Sequence, residues 1–123
     1  MIDKLTYVTV NETNYPMAFT LNVAESIQDK YGSLEQWGTS LDNGKEPRLK
    51  DVIWTFQQFI NEGIDIENET NQKSREFLSH KQAGRLITSI GIKESSELIK
   101  ELTSKFNNAG SDEKNSTTTQ NQT

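Results

Sequence analysis

Cysteine is absent from the 123 residues, which excludes disulfides and thiolate metal sites. Histidine occurs once, as His80, so neither a two-imidazole metal site nor a histidine relay is available. No apolar run approaches the roughly 20 residues that cross a bilayer. Met1-Ile2-Asp3-Lys4-Leu5 lacks the basic-then-apolar order of a secretory signal. A reducing cytosol is therefore expected, and the sequons at Asn11, Asn68 and Asn115 read as chance matches. Positive charge is also scarce: 13 Lys and Arg face 18 Asp and Glu, for a net charge of -5. The basic residues are scattered among acidic ones, whereas duplex binding needs them clustered to displace counterions. Neither nucleic acid nor membrane is an expected partner.

Chemistry is equally sparse. The glycines form no phosphate-binding loop. The carboxylates between Glu62 and Glu69 lack the alternating ligands, central glycine and terminal glutamate of a calcium loop, and read as a solvated connector. His80 reads as an exposed first-turn residue. No catalytic residue, cofactor or metal is expected.

What is present is patterned. Apolar residues make up 32% of the chain, below the usual globular share, but they are unevenly spread. Leu5 to Phe106 carries regular apolar spacings, whereas Asn107 to Thr123 holds only Ala109 as a nonpolar side chain. The expectation is one helical domain over 1–106 and a disordered polar tail over 107–123, which cannot offset its ordering entropy by burial.

Leu5 to Val10 is rich in β-branched and aromatic residues and predicts a strand, with Thr6, Val8 and Val10 on one side. Asn11 to Asn14 is turn-like, and Tyr15 to Phe19 predicts the return strand, where Pro16 suits only an edge. A first helix is expected from Thr20 to Tyr31, with Phe19, Val23 and Ile27 as its stripe. Thr20 or Asn22 caps it and Gly32 ends it. Ser33 and Gln36 have capping-box spacing ahead of a short helix bearing Leu34, Trp37 and Leu41, which Gly38 weakens.

Pro47 opens the strongest helix, whose face is Leu49, Val52, Ile53, Phe56, Phe59 and Ile60; Gly63 is expected to stop it. An acidic connector from Glu62 to Gln72 follows. Ser79, with Gln82 three residues on, caps another helix ending at Gly91. A last helix from Lys93 to Phe106 carries Leu98, Ile99 and Leu102. The fold class is thus mainly α: four to five helices, a short N-terminal β-hairpin and a polar tail.

Trp54 lies about 100° round its helix from Ile53, away from the stripe centred on Phe56. It reads first as packing under the hairpin or a later helix, and second as a contact for self-association or a partner helix, where tryptophan is a common anchor. Leu98 and Leu102 carry the same two readings, core or groove. Trp54, Leu98 and Leu102 are the candidate partner-binding residues.

The order of features then becomes recognisable. A short β element leads into Tyr15-Pro-Met-Ala-Phe-Thr-Leu-Asn22 and a helix ending Gln28-Asp-Lys-Tyr-Gly-Ser-Leu34. Arg48-Leu-Lys-Asp-Val-Ile-Trp-Thr-Phe-Gln-Gln-Phe-Ile60 follows, and then the helix capped by Ser79. From Leu5 to Leu102 this resembles the tail assembly chaperones of long-tailed phages, especially those of Gram-positive hosts; the stretch Ile64 to Phe77 is long for that pattern. The resemblance implies a protein of the host cytoplasm, absent from the mature virion, that binds the tape measure protein and helps recruit tail tube subunits. It also implies a short form and a frameshifted long form, this chain being the short one. Glu113-Lys114-Asn115 can be encoded GAA AAA AAC, which holds a slippery heptamer. The competing expectation is a structural head–tail connector or tail completion protein.

Overall fold

The computed structural model describes residues 5–42, 44 and 46–116, with side chains through Asn108. Two strands precede five helices: β1 (Thr6–Val10), β2 (Thr13–Met17), α1 (Leu21–Tyr31), α2 (Leu34–Leu41), α3 (Leu49–Asn71), α4 (His80–Ile90) and α5 (Ile92–Ser116). The mainly helical class with an N-terminal hairpin is as expected.

β1 and β2 pair antiparallel, with Val10 opposite Thr13 and Thr6 opposite Met17. The turn between them is only Asn11-Glu12, both at positive φ (51° and 69°), which matches the right-handed twist of the strands. The return strand therefore starts at Thr13 rather than Tyr15. Pro16 faces Tyr7, at a pair whose backbone groups point outward in the antiparallel alternation, so its missing N–H breaks no rung. Val8 and Val10 lean on the core, as their alternation predicts.

α1 begins where Thr20 Oγ1 accepts from the Asn22 N–H, and it ends at Gly32, φ 94°. Thr20 is thus the cap, and Asn22 is not. Ser33 caps α2 by accepting from the Gln36 N–H. Ser79 and Gln82 form both bonds of a capping box at the start of α4, the reciprocal arrangement that satisfies two free N–H groups.

α3 departs most from expectation. It does not stop at Gly63 but continues to Asn71 and closes on left-handed Gln72. The supposed acidic connector is therefore helical, with Ile64 and Glu67 buried. Gly63 is there for a different reason: a Cβ would lie 2.5 Å from the carbonyl carbon and oxygen of Pro16. The hairpin crosses α3 at that point, backbone against backbone, and Ala18 N–H donates to Phe59 O at 3.0 Å. α3 is consequently about 35 Å long at 1.5 Å per residue, and every other element of the described fold is arranged around it.

The core lies along α3, where Val52, Phe56, Phe59, Ile60 and Ile64 are buried against Met17, Ile27, Ile87, Ile99 and Leu102. Phe19 is its junction. Its ring stacks on Phe106 (4.4 Å between centroids), is tilted against Phe59 at 5.0 Å and meets the edge of Trp37 at 5.9 Å. These contacts tie together the end of the hairpin, α2, α3 and α5, in geometries favoured by the ring quadrupoles.

α5 runs past Phe106 to Ser116. Its backbone bonds are local and need no core contact, so the helix carries on beyond the expected end at Phe106. Residues 117–123 of the expected tail, like Met1 to Lys4, lie outside the described residues.

Candidate interaction surface

α3 also carries a polar service face. Asn61 and Asn68 are seven positions apart, two turns along one side of a helix. Asn61 accepts from the Leu78 N–H (2.8 Å) and donates to Leu78 O (3.0 Å). Asn68 does the same for Arg75, at 3.0 Å in both directions. Gln57 adds a second donor to Leu78 O. The stretch between α3 and α4 is thereby strapped antiparallel to the helix, each amide standing in for a strand neighbour.

Buried carboxylates fasten the rest. Glu67 accepts from the Tyr7 hydroxyl at 2.9 Å and faces Arg75 at 3.8 Å. Arg75 in turn donates to Asn14 O and lies over the Tyr15 ring. The bond to Glu67, followed by burial, raises the Tyr7 phenol above its ordinary value. Asp51 accepts from the Tyr31 hydroxyl at 2.6 Å; burial first and that bond second push the Tyr31 phenol well up. A buried acid accepting a phenol proton favours the neutral phenol. These acids are structural ties within the fold.

Among the described residues no group of three His, Cys, Asp or Glu side chains comes together as a metal site. His80 is exposed in the first turn of α4. What the surface offers is apolar relief. A cleft of about 390 Å³ lies between α2 and α5 and is lined by Trp37, Leu41 and Ile99 with Gly38, Lys100 and Thr103. Trp37 forms its floor, its indole N–H donating to Thr55 Oγ1 at 2.9 Å, so the ring cannot swing away without stranding a buried donor. A second groove, about 340 Å³, runs between the start of α3 and the α4–α5 corner and is lined by Leu49, Val52, Ile53, Gly84, Ile87 and Ile92, among others.

None of the three residues singled out from the sequence lines either cleft. Trp54 is half-buried, packed against the core. It meets the edge of Tyr31 at 5.7 Å, with the Lys30 ammonium 5.4 Å from its ring, because its position off the main stripe turns it toward the end of α1. Leu102 is buried in the core. Leu98 is partly buried against the same core. Trp37, read from the sequence only as a position on the apolar face of its short helix, forms the cleft floor, and no local spacing marked it.

No helix of the described fold is long and apolar enough to cross a membrane. Comparison of the chain with protein-family models, curated proteins and solved structures found no significant match in any of the three.

Proposed function

We propose that the chain is a phage tail assembly chaperone that binds the tape measure protein, keeps it soluble and helps recruit tail tube subunits. The reading starts from the resemblance of Leu5 to Leu102 to that family. The single observation that carries it further is the open apolar cleft between α2 and α5, floored by Trp37 and sided by Leu41 and Ile99. A tape measure is a long helical chain whose apolar stripes stand exposed until tube subunits enclose them. Each stripe residue lodged in such a cleft removes apolar area from water at about 25 cal/mol per Å². Several small chaperones along one chain add through multivalency, and a net charge of -5 keeps the loaded assembly dispersed. On this reading the protein acts in the host cytoplasm, leaves before the virion is complete, and is the short partner of a frameshifted form.

The test is co-expression with helical segments of the tape measure protein from the same phage. A soluble complex is expected, and Leu41→Glu at the cleft edge weakens it. Recovery of the protein as a stoichiometric part of purified particles would instead favour the head–tail connector or tail completion reading. Normal tail assembly in its absence would remove the chaperone role altogether.

A further inference from the structure

Although charge is mixed along most of this acidic chain, one stretch has no acid. From His80 to Lys93, through all of α4 and into α5, there are Lys81, Arg85 and Lys93 and no carboxylate. This basic stretch borders the second groove. Lys81 stands three and seven positions before Gly84 and Thr88, both groove residues, and so shares their side of α4. On α3, Lys50 stands three before Ile53. The groove is apolar within and has exposed aliphatic lips: Leu49 is 57% and Ile92 45% exposed.

The opposite side of α3 has the complementary character. Gln58, Asn61, Glu62 and Asp65 lie there beside Phe77 in a shallow depression next to the start of α1. At about 100° per residue they fall roughly 180° from Leu49, Val52 and Ile53. Phe77 is 56% exposed and Leu21 76%, and Glu25 and Asp29 continue the negative charge along exposed positions of α1. One face thus has an exposed phenyl ring near carboxylates, and the other an aliphatic groove beside ammonium groups.

The geometry points to a second copy of this chain as the occupant of the groove: Phe77 of one molecule enters the groove between α3 and α4 of the next, and its flanking carboxylates meet Lys50 and Lys81. The two patches differ and lie on opposite sides of α3, so the contact is head-to-tail. Each added copy presents a fresh groove or a fresh Phe77, so the assembly grows by addition, into a ring where the rotation closes and a filament where it does not. Opposite charges at both rims set the direction of docking and make it weaken as salt rises.

The experiment is sedimentation velocity on the full chain over a range of concentrations, at low and high salt. The wild type is expected to grow beyond a dimer as concentration rises and to revert toward monomer at high salt. Phe77→Asp and Ile92→Asp alter exposed positions, and each is expected to weaken association by about tenfold or more. Mixing the two variants is decisive: the first keeps an intact groove and the second an intact Phe77, so together they form a dimer and nothing larger. Lys81→Glu and Asp65→Lys form a second pair, each weakened alone and restored by mixing, which serves if either apolar variant fails to fold. A wild type that stays monomeric, a closed dimer that survives the substitutions, or variant mixtures that remain monomeric would overturn the assignment. So would a groove that takes up an acidic helical peptide while the chain does not self-associate.

Discussion

Gly63 and Tyr31 are two residues whose roles depend on what they touch across the fold. Gly63 permits the carbonyl of Pro16 to lie where a side chain would begin, and even a methyl group must push the hairpin away. Gly63→Ala gains helix propensity of about 1 kcal/mol but forces a backbone displacement of the overpacking kind. A net loss of about 2 kcal/mol is expected, read as a lower urea midpoint with the helical signal retained. Tyr31 responds to pH instead. The fold holds its proton more tightly than the unfolded chain does, whose phenol titrates near 10.0. Stability from this group is therefore complete below pH 10 and is lost as pH climbs from there toward the folded value. Tyr7 acts in the same sense. Urea midpoints should be level between pH 8 and 9.5 and fall above pH 10, on the ordinary titration range of a phenol. In Tyr31→Phe the fall should be shallower, although the starting stability is lower because Asp51 has lost a donor.

Among the elements, the strap between α3 and α4 has the clearest consequence. Its backbone is held by Asn61 and Asn68 rather than by secondary structure. Asn61→Ala or Asn68→Ala should each cost about 1–2 kcal/mol. Either should raise proteolytic nicking between Gln72 and Ser79 well before the helices open, since local opening is governed by local bonds. How legible each element was follows from the range of the interactions that define it. The Ser79–Gln82 box, the Thr20 cap and the Val8–Val10 alternation are local, and each was visible as spacing in the sequence. Gly63 looks like a helix stop because glycine ordinarily is one; its actual partner, Pro16, is far away in the chain. The carboxylates after it look like a connector for a similar reason. Glu67 is buried only because Tyr7 and Arg75 reach it, and neither pairing has a signature in the spacing of α3. The α2–α5 cleft was invisible for the same cause: Ile99 announced an apolar face, but not which helix would fail to cover it.

At the scale of the molecule, stability and surface relief are coupled at Gly38. This glycine lies inside α2, lines the larger cleft, and would place a Cβ in open space. Gly38→Ala should therefore stabilise the fold by about 0.5–1 kcal/mol while partly filling the cleft. If that cleft receives the tape measure, the variant melts higher and binds less, a divergence that thermal denaturation and pull-down measure separately. A variant that melts higher and binds equally well would move the partner contact elsewhere on the surface.

The hairpin comes first in the chain, yet the helix it crosses comes much later: Tyr7 and Glu67 are joined across 60 positions, and Gly63 lies directly beneath Pro16. During synthesis the ribosome delivers the two strands long before it delivers the surface that shelters Met17, and an isolated two-stranded hairpin is marginal in water. The N-terminal segment must therefore wait, unsheltered, until the second half of α3 has cleared the exit tunnel. Docking of the hairpin is set by the emergence of that one helix, and a nascent chain halted before Ile64 would have its opening strands and no place to lay them.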